Sequence, residues 1–112
     1  MITVVVVRGL RGNLVSAAAS GHAGRGRAGT DIVCAAVTVL LRTTLTVLAG
    51  ADPVVEAETA GRGQLAFRVT AFTEADLPLL RYAAVFLLEG LGSLAGEYPE
   101  AVQMRVENSS DN

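Results

Sequence analysis

The sequence predicts an α+β domain of five strands and two helices in the order ββαββαβ, with a mixed or antiparallel sheet packed by the two helices. Three observations carry this reading. Strand-like apolar runs come in pairs, each pair joined by glycine-containing turn residues, as hairpins require. After each pair comes a long stretch whose apolar residues recur at helical spacing. And 112 residues, 51% hydrophobic and 18% charged, suit a single globular core.

The elements follow in order. Ile2 to Val7 is an unbroken Val-rich run, which suits a strand covered on both faces. Gly9 and Gly12-Asn13 supply turn chemistry, and Leu14 to Ser20 is the second strand. Thr30 or Asp31 offers an N-cap for a helix from Ile32 to about Leu48. Its apolar positions are Val33, Ala36, Val37, Leu40, Val47 and Leu48; Leu41 and Leu45 widen the stripe, so more than one side needs cover. Gly50 and Pro53 end it. Val54 to Ala60 and Gln64 to Phe72 form a hairpin around Gly61-Arg62-Gly63. In the latter, Leu65, Phe67, Val69 and Ala71 alternate with Gln64, Ala66, Arg68 and Thr70.

Thr73 or Asp76 caps the second helix, and Pro78 near its first turn favours Asp76. Leu79, Leu80, Ala83, Phe86, Leu87, Leu91 and Leu94 form its buried stripe, and Pro99 stops it. Ala101 to Val106 is the last strand. One domain over residues 1–107, followed by a polar tail over 108–112, completes the division. Two helices on one face leave the other face, or the sheet edges, to be covered; a homodimer is the expected solution.

Composition narrows the function. The net charge is −2 and all nine basic residues are arginines, with no concentrated basic surface for direct contact with nucleic acid. A single cysteine excludes an internal disulfide and fits a reducing compartment. The start, MITVVVVRG, lacks the pattern of a signal peptide, and no apolar run approaches the ~20 residues that span a bilayer, so a cytoplasmic protein without membrane contact is expected. One histidine and one cysteine cannot close a zinc site, and neither a metal nor another cofactor is expected.

The chemistry concentrates in Gly21 to Thr38, GHAGRGRAGTDIVCAAVT. Cys34 falls in the first turn of the expected helix, where the positive end of the dipole favours thiolate over thiol. His22, twelve residues earlier, can complete a nucleophile–base pair across a loop with glycines at 24, 26 and 29, which let a backbone approach closely. Asp31, Cys34 and Thr38 share one line of the helix. Asp31 either orients the imidazole or caps the helix; as an orienter its charge opposes the thiolate, so a protonated His22 must outweigh it. Thr38 either donates to the site or bonds back to the preceding turn. Gly24-Arg25-Gly26-Arg27-Ala28-Gly29 matches a dinucleotide fingerprint in form only. Gly21-His22-Ala23 separate it from the strand, and the chain is too short for two nucleotide-binding halves. Arg25 and Arg27 are then solvated loop charges or contacts to an acidic or carbonyl-rich partner. Against all this stand the plainer readings of Cys34 as an inert packing residue and His22 as a structural one.

SGHAG followed by G-x-DIVCAAV, and a second helix ending in Tyr98-Pro99-Glu100, resemble the ribosomal-processing cysteine protease family, known as Prp, over nearly the whole chain. The resemblance implies a homodimeric α+β peptidase in which His22 and Cys34 form the catalytic dyad, with Gly21 and Asp31 also matching the pattern. It implies as substrate the N-terminal extension of a large-subunit ribosomal protein (number twenty-seven). The chain departs from the family where Thr38 replaces a common Ser and where the loop reads Arg25-Gly26-Arg27 in place of a Tyr followed by acidic residues. Two functions are therefore weighed. One is a cysteine endopeptidase acting through an acyl-enzyme; the other is a non-catalytic dimeric module binding a ribosomal protein tail or assembly factor.

Overall fold

The computed structural model describes residues 1–21, 28–58 and 64–110, with residues 28–31 described by their backbone alone. Strands β1 (Ile2–Arg8) and β2 (Leu14–Gly21) form the first hairpin. Its turn uses the expected residues: Gly12 takes a φ of 76°, and the Gly9 N–H donates to the Asn13 carbonyl at 2.8 Å. Helix α1 (Ala28–Ala49) follows, then β3 (Val54–Glu58) and β4 (Gln64–Ala71). A short 3-10 turn, Glu74–Asp76, leads into α2 (Leu77–Glu97), and β5 (Val102–Asn108) closes the order. The Gly61-Arg62-Gly63 turn lies outside the described residues.

The five strands form one sheet, ordered β3-β4-β2-β1-β5. Its pairs are antiparallel except β1 with β5, which run parallel in a register that pairs Ile2 with Val102 and Arg8 with Asn108. The sheet is therefore mixed, and the fold is α+β with the expected element order.

Both helices cover one face. Ile2, Val4 and Val6 of β1, Ala17 of β2 and Phe67 of β4 point into the core with Val33, Val37 and Leu41 of α1 and Leu80, Ala84 and Leu87 of α2. α1 rests mainly on β3 and β4, and α2 on β5 and β1. The helices meet where Gly90 admits Leu40; a Cβ on Gly90 would lie 3.1 Å from both Leu40 methyl carbons. Thr3, Val5 and Val7, on the opposite face of β1, are half-buried. The expectation of a strand sealed on both sides is thus corrected. A β-branched run records fit to a pleated surface rather than two-sided burial.

Other boundaries move for physical reasons. β5 continues to Asn108, and the Ser109 N–H still donates to the Arg8 carbonyl at 2.7 Å, because parallel pairing with β1 extends the strand past its last apolar residue. Thr73 and Asp76 share the start of α2. The Asp76 carboxylate accepts from the Thr73 N–H at 2.8 Å and from its hydroxyl at 3.3 Å, so its capacity goes to the 3-10 turn rather than to α2 itself.

The helix stripes are also redistributed. Leu80, Ala83, Leu87 and Leu91 are buried as expected, but Phe86 is 43% exposed and Val47 of α1 is 54% exposed. They flank an apolar groove between the helices that includes Thr43, Leu79 and Tyr82. The reading that no stretch suits a bilayer is corrected too. By length and composition Ile32–Ala49, with a mean hydropathy of 2.1, and Glu74–Glu97 are both long and apolar enough to cross one. Threonines and Arg42 interrupt the α1 run and disguise it in the sequence. In the fold, the inner side of each helix is committed to the sheet.

Candidate active site

Pairing brings the end of β2 beside the starts of β1 and β4. Ile2 at the start of β1 lies opposite Gly21 at the end of β2, and Ser20 lies opposite Gln64 at the start of β4. The loop bearing His22 leaves from this end. His22, Gly24, Arg25, Gly26 and Arg27 lie outside the described residues.

Helix α1 starts at Ala28, about one turn earlier than a cap at Thr30 or Asp31 requires. Alanine favours helix, and one glycine costs only ~1 kcal/mol, so Ala28-Gly29-Thr30-Asp31 enters as the first turn. Two expectations change. Asp31 lies within the first turn and is not the N-cap. Cys34 stands in the second turn, beyond the reach of the strongest dipole effect.

The facing of Cys34 follows from its neighbours. Val33 and Val37 are buried, at 1% and 3% exposure, and Ile32 is 65% exposed. Cys34 lies between these extremes: half-buried, packed against the edge of the core, and a free thiol. Thr38, one turn on, is half-buried as well. The line through Asp31, Cys34 and Thr38 is therefore a helical flank, with its middle residue neither sealed nor fully in solvent. Among the described residues no group of three His, Cys, Asp or Glu side chains assembles to hold a metal.

Gly21 is the residue whose reason the sequence does not disclose. Its φ is 95°, and a Cβ there would collide with the carbonyl oxygen of Met1. The signal in the sequence is only a glycine before the single histidine.

Residues 1–103 match the family model for cysteine protease Prp. The chain belongs to the cysteine protease Prp family. The crystal structure of SMU.848 from Streptococcus mutans superposes with a TM-score of 0.81 at 29% identity, covering 97% of this chain and 96% of that one. The essential ribosomal processing protease Prp from S. aureus, in complex with a substrate peptide, gives a TM-score of 0.78 at 21% identity over 96% of this chain and all 100% of that one. The same S. aureus protease with a covalently linked product peptide gives 0.73 at 24% identity over 96% and 100%. At such identities the two S. aureus complexes establish the Prp fold here. Among curated proteins none matches the sequence.

Proposed function

We propose that this chain is a cysteine endopeptidase that removes the N-terminal extension of large-subunit ribosomal protein number twenty-seven during ribosome maturation. One observation carries the assignment of the chemistry. The family is one of cysteine proteases, and Cys34 is the only cysteine in the chain, as His22 is the only histidine. A thiol protease needs a sulfur nucleophile and a proton carrier, and each role has a single candidate.

The Cys34 thiolate attacks the scissile carbonyl carbon, and the C–N bond breaks as protonated His22 gives its proton to the leaving amine. His22 then takes a proton from water, which hydrolyses the thioester and frees the thiolate. Because Cys34 stands beyond the first turn, its own N–H is committed within the helix. The unpaired N–H groups of the first turn are the oxyanion donors instead. Helical side chains lean toward the N-terminus, which carries the sulfur toward that turn. His22, rather than the helix end, is then the main influence favouring thiolate. Asp31 orients the imidazole, Thr38 supplies a hydroxyl beside the sulfur, and the loop between β2 and α1, with Gly24, Arg25, Gly26 and Arg27, closes over the peptide. Gly29, expected in that loop, stands instead in the first turn of α1.

The S. aureus relative described as a ribosomal processing protease supports the substrate class. The working form is a cytoplasmic homodimer, supported by the outer helix surface. Val39, Val47, Tyr82, Val85 and Phe86 are exposed there; Arg42 is the only Arg, Lys, Asp or Glu between Ile32 and Ala49, and Arg81 and Glu89 are the charges beside the α2 residues. A face with so little charge to match suits a second copy of itself. An open five-stranded sheet leaves backbone edges that a bilayer cannot satisfy, which argues against membrane insertion.

The test is cleavage of a peptide spanning the extension junction of that ribosomal protein. Cys34→Ser and His22→Ala are expected to abolish it while the fold persists. Full activity in Cys34→Ser overturns the proposal.

A further inference from the structure

We infer that the backbone of Met1–Ile2 is a positioning element of the active site: it closes against Gly21 and sets the direction in which the chain leaves β2 toward His22. The inference rests on the peptidase reading and adds a part to its machinery.

Two separate features meet at Gly21. Its φ of 95° is one that side-chain-bearing residues rarely adopt. Independently, the space a Cβ would occupy is taken by backbone: it would collide with the Met1 carbonyl oxygen, and would lie 3.5 Å from the Met1 carbonyl carbon and 3.7 Å from the Ile2 Cα. Gly12 separates the two features, since its φ is 76° but a Cβ there would meet nothing within 4 Å. At Gly12 conformation alone calls for glycine; at Gly21 a close approach calls for it as well.

The approaching segment is held in place. Ile2 is 3% exposed in the core, its N–H donates to the Ala101 carbonyl at 2.8 Å, and it pairs with Gly21 in the β1–β2 register. Neither side of the contact can retreat without breaking strand pairing or core packing. His22 follows directly in the sequence, so the Gly21 backbone sets where the chain that bears it begins, and a misplacement of a catalytic group by ~1 Å can cost about a hundredfold in rate.

The single histidine gives a direct readout, because its ring resonances need no assignment. In the natural protein, Cys34→Ser is expected to shift the His22 ring signals; if it does not, the Cys34–His22 pairing fails and this inference falls with it. Gly21→Asn keeps a residue that tolerates positive φ but adds the colliding Cβ. In that variant the ring response to Cys34→Ser is expected to vanish and kcat for the junction peptide to fall about a hundredfold. Gly12→Asn leaves both unchanged. Removing residue 1 supplies the deciding sign: it lowers kcat where Gly21 is intact, by taking away the buttress, and raises it in Gly21→Asn, by relieving the collision. If Gly21→Asn does not fold, the loss of rate and of ring response on removing residue 1 from the otherwise natural chain decides alone. A natural ring response and rate in Gly21→Asn, or no effect of residue 1 on either, overturns the inference.

Discussion

In the proposed mechanism Cys34, on a helical flank beyond the first turn of α1, relies on His22 as its principal activator. At a fixed neutral pH, His22→Ala is therefore expected to slow iodoacetamide alkylation of Cys34 about tenfold or more, measured by mass spectrometry. An unchanged rate would return the thiol to a packing role. The line Asp31–Cys34–Thr38 was legible in the sequence because helical spacing alone defines it. The need for glycine at 21 was not, because φ and a close backbone approach from Met1 arise only when β1 and β2 pair. The start of α1 misled for a local reason: Thr30 and Asp31 have the chemistry of a cap, and their presence obscures a helix that begins at Ala28.

At the scale of elements, the strands and the first hairpin were read well because a glycine turn and two-residue alternation are local signals. The helix stripes were read less well. Val47 and Phe86 continue an apolar period onto an outer surface, and periodicity does not tell which apolar side meets the sheet. Two joints between elements can be tested by urea unfolding. Asp76→Ala removes the acceptor of the Thr73 N–H and hydroxyl and is expected to cost about 1–2 kcal/mol. Gly90→Val drives a branched side chain into Leu40 and is expected to cost about 1–3 kcal/mol; Gly90→Ala asks Leu40 to give by only a few tenths of an ångström and should cost less. If the Gly90→Val protein is as stable as the natural one, the helices do not meet as described.

For the whole molecule, the uncovered helix layer is the feature to probe. If the proposed dimer forms through this layer, Phe86→Glu, placed beside the groove that Val47 and Tyr82 flank, is expected to sediment as a monomer where the natural protein sediments as a dimer. A variant that remains dimeric would move the interface to another surface. The sequence expresses a need for cover at the bare sheet face or sheet edges; the proposed dimer would use the exposed apolar residues of the helix layer instead.

The parallel seam between β1 and β5 carries one more consequence. β1 sits between its hairpin partner β2 and the strand farthest from it in the sequence, β5, so its second edge stays unpaired until residues 102–108 have been synthesised. Folding cannot finish from the front, and a nascent peptidase held at the exit tunnel would stay inactive beside the machine whose components it is proposed to trim. Chains truncated after Pro99, lacking β5, should expose the β1 edge and aggregate, as light scattering would record; a soluble truncated protein with full activity would show that the late strand is dispensable.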